Sequence, residues 1–228
     1  MTYMIHTFPD RRWYVDGYLV PSIIKQGIHI ANIKIWDDVD RKGNLFSCMD
    51  SFAECGRHPG STWHLQDDVL ICKDFRERTT KNVNKDAVIC GFCGVETGPD
   101  PKKVGKVQNF EMWWSFQCIH IPNKYAGECS KWFYEEAMYM NRHNIQERIE
   151  GGKSDDWFWK RFIRERHPYT EIINLAPNLV EHVDYLLGGS AINKNRTRQH
   201  ISALFEDKDL VDELKAALER GNKNVCRE

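Results

Sequence analysis

Over its first ninety or so positions the chain switches repeatedly between two hydrophobic periods. "TYMIHTF" is short and apolar, "RRWYVDGYLVPSIIKQG" places its apolar residues at helical spacing and stops at Gly27, and "IHIANIKIW" alternates with β-branched residues. "GNLFSCMDSFAECG" returns to helical spacing and closes at Gly56, "TWHLQDDVLI" reads as a third strand, and "AVICGFCG" as a fourth. Period 2 predicts strands and period 3.6 predicts helices, with glycine as the natural helix stop. Strands that alternate with helices build a parallel α/β sheet, because a crossover helix is what returns the chain to the same end of the sheet. In such sheets ligands collect beyond the carboxyl ends of the strands. Three features fall there: the loop "HTFPDRR" after strand one, the acidic cluster "WDDVD" after strand two, and "QDD" late in strand three.

The second half is less regular. "ETGPDPKKVGKVQNFEMW" is rich in Gly, Pro and Lys and reads as a loop near the site. "WWSFQCIHIP" is a further strand, and "AGECSKWFYEEAMYMNRHNIQERI" a long helix or helix pair broken by "EGGK". "SDDWFWKRFIRER" opens a new helix, "INLAPNLVEHV" is extended or turn-like, and "DKDLVDELKAALERGN" is a terminal amphipathic helix with Leu210, Leu214 and Leu218 on one stripe and Gly221 as its stop.

With 228 residues, 41 % of them apolar, the chain can bury a sizeable core. A formal net charge of −1 argues against a gripping surface for long nucleic acid, so any such role needs a local patch; "DPKKVGK" and "NKNRTR" are the candidates. No apolar run approaches the length of a membrane span, and the N-terminus lacks the charged and apolar regions of a secretory signal. The eight cysteines therefore suit a reduced, cytoplasmic setting. Cys90 and Cys93 have C-x-x-C spacing, but no second pair or nearby His follows at the distance a zinc site needs, so they read as buried thiols in a strand.

Charged side chains are rarely buried without a partner or a metal. That rule singles out Asp67 and Asp68, set between apolar strand residues, and adds Asp155, Asp156 and His182. A hard divalent ion takes carboxylate oxygens and phosphate, and Mn also takes imidazole. One carboxylate, one His and a diphosphate make a first shell, which leaves a separate carboxylate to act as a general base.

In the order of these segments the chain resembles nucleotide-sugar-dependent glycosyltransferases of the GT-A fold, close to short bacterial and phage members. The resemblance covers roughly residues 1–200. "KGNLFSCMDSFAECGRHPGSTWHLQDDVLICKDF" is similar to that family's helix, strand and acidic metal-binding motif, with Gln66 standing where the family often keeps an acid. "WWSFQCIHIPNKYAGE" resembles its acceptor-side strand, "SDDWFWKRFI" the helix opening that carries the base of inverting members, and "APNLVEHVDYLLGGS" the late segment whose His completes the metal shell. The fold this implies is α/β: a Rossmann-like mixed sheet, mostly parallel, flanked by helices, with a C-terminal helical extension. Residues 1–98 form the nucleotide-sugar-binding half, 110–200 the acceptor and catalytic half, and 201–228 the terminal helix and tail.

The resemblance implies Asp68 and His182 as ligands of Mn2+ or Mg2+, and Asp156 or Asp155 as the base that deprotonates an acceptor hydroxyl. It implies Thr7, Arg11 and Arg12 near the nucleotide, Asp37 or Asp38 near the base or ribose, and Asp67 toward the nucleoside or sugar. Lys194, Arg196 and Arg198 are placed to close over the diphosphate, since guanidinium groups bind phosphate bidentately. Trp113, Trp114, Trp157 and Trp159 are candidates to stack on the sugar or acceptor, with core packing expected for at least two. The implied activity is an inverting hexosyl or pentosyl transfer from a nucleotide-diphosphate sugar to a glycan or, as in phage DNA modification, to a hydroxylated base. The rival readings are an inactive nucleotide-sugar-binding module and a nucleotidyltransferase; against the latter, no Gly-rich phosphate loop is present. A homodimer is compatible with the aromatic surplus and the terminal helix.

Overall fold

The computed structural model describes residues 1–84, 86–92, 105–106, 116–137, 155–189 and 205–225. Among these, seven strands form one sheet in the order β2-β1-β3-β7-β5-β8-β6, where β1 is Thr2–Thr7, β2 Ile33–Asp37, β3 Ser61–Gln66, β5 Ala87–Cys90, β6 Gly105–Lys106, β7 Cys118–Pro122 and β8 Glu171–Asn174. A short second ladder joins β4 (Val69–Ile71) to β9 (Val180–His182). Strands β2, β1, β3, β5 and β8 run one way, and β7 and β6 are reversed. The expected mixed, mostly parallel α/β sheet is what forms.

Helices cover both faces: α1 (Arg12–Tyr14) and α2 (Val20–Lys25), α3 (Asn44–Gly56), α4 (Phe75–Lys81), α5 (Asn123–Trp132), α6 (Asp155–Arg166) and α7 (Lys208–Val225). Strand alternation sends neighbours to opposite layers. Tyr3 and Ile5 enter the layer of α2, α4 and α7 with Trp63 and Phe75, whereas Met4 enters the layer of α3, α5 and α6 with Phe52 and Phe158. A fully buried Phe52 contributes about 1.5–3 kcal/mol of apolar transfer to that layer.

Several local readings need correction. The first helix is interrupted: Val15–Leu19 is a π-turn between α1 and α2, and the Val20 N–H donates to the Val15 carbonyl, five residues back. Pro21 follows and has no N–H to give to the carbonyl four residues behind it, so the ladder slips there. "IHIANIKIW" is a strand only from Ile33, because Ile30–Asn32 forms a 3-10 turn in which the Ala31 N–H donates to His29 Nδ1. "TWHLQDDVLI" is two strands, with Asp67 and Asp68 as the turn between them. The terminal helix continues past Gly221 to Val225.

Gly56 ends α3 as expected, but it also has a packing role. A Cβ built on it would fall 2.5 Å from the Gly127 Cα, so the backbones of α3 and α5 touch at this crossing. In the first turns of α3, Ser47 Oγ lies 2.8 Å from Nε2 of His6, next to the carboxyl end of β1. No described helix is long and apolar enough to cross a membrane.

Candidate active site

Thr7 ends β1 opposite Asp37 of β2, and His6 pairs in register with Gln66 of β3, so the turn after β3 lies against the loop after β1. The Asp67 carboxylate uses this proximity. Its Oδ2 accepts from Thr7 Oγ1 at 2.9 Å and from the Phe8 N–H at 3.3 Å. Asp67 is thus a brace for the first strand–helix loop as well as a neighbour of Asp68.

Asp68 is met from the far end of the chain. The β4–β9 ladder sets Val69 opposite His182, and the Val183 N–H donates to the Asp68 carbonyl. His182 Nε2 then lies 3.2 Å from Asp68 Oδ2, and His182 Nδ1 lies 3.6 Å from Asp184 Oδ1. The Asp68 and His182 side chains are 17 % and 3 % exposed, so the pair is largely out of water. Asp68 Oδ1 is buried with no hydrogen-bond partner. This acceptor faces no donor in a region where an unpaired carboxylate oxygen is costly.

Arg11 supplies the nearby positive charge. It is 4 % exposed, and its Nη2 donates to the Gly189 carbonyl, bridging the first helix to the Gly188–Gly189 turn. Its Nη1 is buried without a partner. Burial and the charge of Asp68 push Asp67 up to about 7, against the opposing pull of Arg11 and Thr7. Burial also pushes Asp68 upward, but His182 and Arg11 outweigh it and hold the group below its ordinary value. Asp68 is therefore the ionised member of the pair and Asp67 the one that keeps a proton near neutrality.

A second acidic centre opens α6. Asp155 is 2 % exposed and lies beside Asn44 and Cys48 of α3, both of which pull its pKa down, and its Oδ2 is buried without a partner. Burial and the adjacent Asp156 raise it to about 8. Asp156 is half-buried and accepts from the Trp157 N–H, a helix-start contact. The two centres share a wall, because Ser47, next to Cys48, has its Oγ 2.8 Å from Nε2 of His6 on β1.

The other expected residues divide. Arg12 is half-buried and paired with Asp16 at 2.8 Å and Asp37 at 3.3 Å, so it stands at the rim. Asp38 is buried, and both its oxygens accept backbone N–H groups, from Lys42 and Gly43 at 2.9 Å, which closes the loop after β2. Trp159 is fully buried against Phe52 and Phe162, so its role is packing; this corrects its candidacy as a stacking platform. Trp157 is half-buried with Arg161 over its ring at 5.5 Å. Lys194, Arg196, Arg198, Trp113 and Trp114 lie outside the described residues.

Sequence reasoning missed His6, Ser47 and Asp184. Alternation made His6 look like one more core position of a strand. Asp184 did carry a signal, its spacing two residues after His182, since a ligand-type imidazole commonly has a carboxylate on its other nitrogen.

No protein-family model matches this chain, and no curated protein matches it. Among solved structures it is similar to A197 from STIV, with 13 % identity and a TM-score of 0.44 over 79 % of this chain and 84 % of that one. It is similar to a glucose-1-phosphate thymidylyltransferase from Bacillus anthracis, with 9 % identity and a TM-score of 0.46 over 87 % and 97 %. It is also similar to the inositol-1-phosphate CTP transferase from T. maritima, with 10 % identity and a TM-score of 0.43 over 97 % of each chain. Likeness at this level does not carry chemistry from one protein to another, which has to be argued from the site itself.

Proposed function

We propose that this protein is a metal-dependent, inverting glycosyltransferase that moves a sugar from a nucleotide-diphosphate donor to an acceptor hydroxyl. The observation that carries the reading is the buried Asp68–His182 pair at the carboxyl end of β3, with Asp68 Oδ1 left without a partner. Its two donor atoms are 3.2 Å apart. Ions of the Mg2+ and Mn2+ class hold ligands at about 2.1 Å, which puts neighbouring octahedral ligands about 3 Å apart. Among the described residues no cluster of three or more His, Cys, Asp and Glu is placed to hold a metal. A two-ligand protein site suits this class of ion, which keeps its remaining positions for phosphate and water. When bound, the ion supplies positive charge against the donor diphosphate.

The chain's own groups do the rest. Arg11 Nη1, buried and unpaired, offers a charge-assisted hydrogen bond to a phosphate oxygen. Thr7 and Asp67 hold the loop that carries Arg11. The Asp184 carboxylate lies 3.6 Å from His182 Nδ1, beyond hydrogen-bond length, and adds negative charge beside the ring whose Nε2 faces Asp68. Asp155, held near neutrality by burial, is poised to take the proton of the acceptor hydroxyl, because a base works best when its pKa lies near the working pH. Attack from the acceptor side, opposite the departing nucleotide, inverts the anomeric configuration. The acceptor class is a glycan or a hydroxylated base.

The test is a panel of nucleotide-diphosphate sugars with Mn2+, read by nucleotide diphosphate release and by mass spectrometry of candidate acceptors. Release that Asp68→Asn and chelation both abolish supports the reading. Tight donor binding without release or transfer favours a binding module, and release of pyrophosphate from a nucleoside triphosphate favours nucleotidyl transfer.

A further inference from the structure

A groove of about 1290 Å³ lies apart from the acidic centres, between α2, the β4–α4 segment and α7. It exceeds the ~300–1,000 Å³ usual for small-molecule pockets. Its walls are pinned: Gln26 Nε2 donates to the Cys72 carbonyl at 2.6 Å, and the Arg76 N–H donates to Gln26 Oε1, which locks α2 to the start of α4. Lys73 ties α7 to the same segment through Asp209 at 2.5 Å.

Two chemistries meet in it. Tyr18, Leu70, Leu214 and Ala217 present an apolar floor. Lys25, Arg76, Lys81 and Arg220 stand around it and are all exposed, and none forms an ion pair among the described residues. Of the three acids on the lining, Asp74 is taken up by Arg78 at 3.8 Å, which leaves Glu77 and Glu213 against four unpaired cations. The local excess is positive although the chain carries −1 overall. A small hydrophilic anion has no use for the apolar floor, and a neutral hydrocarbon has none for the cations. A single aliphatic chain with an anionic head uses both, the chain removed from water on the floor and the head answered by the unpaired cations.

The geometry points to this groove as a binding site for a monomeric amphiphilic anion, an alkyl or acyl chain ending in phosphate or carboxylate. Its floor reaches toward the Asp67–Asp68 turn, since Leu70 on β4 is two residues beyond Asp68, and Tyr18 stacks on Tyr14, whose hydroxyl donates to the Val69 carbonyl. Occupancy of the groove therefore bears on the strand that positions Asp68.

The probe is decyl phosphate, titrated calorimetrically below its micelle concentration, beside inorganic phosphate and the neutral detergent hexaethylene glycol monododecyl ether. Saturable one-to-one binding of decyl phosphate is expected, at least tenfold tighter than either control compound. Ala217→Trp, which fills the floor, and the double variant Arg76→Glu/Lys81→Glu each weaken it at least tenfold, while Lys131→Glu on α5 and Asp68→Asn leave it unchanged. Circular dichroism melting identifies variants that fold; if Ala217→Trp does not, the rim double variant decides. The proposal is overturned by no saturable binding, by equal binding of the neutral detergent, by loss of binding in Asp68→Asn, or by binding to phosphatidylglycerol vesicles with none to the monomer.

Discussion

Replacing Asp155 by Asn tests the second acidic centre without changing its shape. In the folded chain burial and Asp156 raise this carboxyl from an ordinary 3.8 to about 8. The unfolded chain loses the proton near the ordinary value, so between those two pH values the folded state binds the extra proton. Stability from this group is therefore fully present at low pH and is lost as pH rises toward 8, at up to about 1.4 kcal/mol per pH step. Integrated over the window, the loss is on the order of 5 kcal/mol, a large share of a typical domain's stability. Asn cannot ionise and keeps an acceptor oxygen beside Asn44 and Cys48. Urea unfolding of both proteins at pH 5, 6.5, 8 and 9 isolates the group, because Asp67, raised in the same sense, contributes equally to both. The variant should already exceed the parent by roughly 1.5 kcal/mol at pH 5, and the gap should widen up to pH 8 and level off by pH 9. Parallel stability profiles, or a variant that loses ground as pH rises, would refute the assignment of a buried, proton-holding Asp155. In transfer assays the same substitution should abolish the proposed reaction, and the parent's rate should climb through pH 8.

Four further outcomes are expected. His6 and His64, lowered by burial to about 4 and about 3, should show nitrogen NMR shifts of neutral imidazole at pH 5.5, and charging them should destabilise the fold as pH falls from 6.5 through those values. Gly56→Ala pushes a methyl to 2.5 Å from the Gly127 backbone, and a loss of about 1–3 kcal/mol in urea unfolding is expected; an unchanged midpoint would contradict the helix crossing. Thr7→Val removes the 2.9 Å bond to Asp67 and should lower stability by roughly 0.5–1.5 kcal/mol, measured by the same assay. Mn2+ titrated calorimetrically should bind weakly alone and at least tenfold more tightly with a nucleoside diphosphate present, and Asp68→Asn should remove that gain.

Periodicity is a local property, and what depends on it was legible. The short apolar run "TYMIHTF" was legible as a strand, and the strand–helix order predicted a mostly parallel sheet with acids at its carboxyl edge. Where a single residue broke the pattern, the local reading slipped. Pro21 admitted a π-turn no period reveals, and "QDD" looked like the inside of a strand because the apolar residues on both sides of it belong to two different ladders.

The arrangement of the site belongs to tertiary structure. His182 reaches Asp68 only because β9 adds to β4 in a register that joins residues more than a hundred positions apart, and nothing in either segment encodes that distance. Asp155 and Asp156 are equivalent on paper, two acids in the first turn of one helix. Packing of α6 against α3 buries the first and leaves the second half-exposed, and burial is what moves a carboxyl's pKa. The residue types were therefore determined by the sequence, while their partners and protonation states were decided by long-range packing, which sets who is close and who is dry.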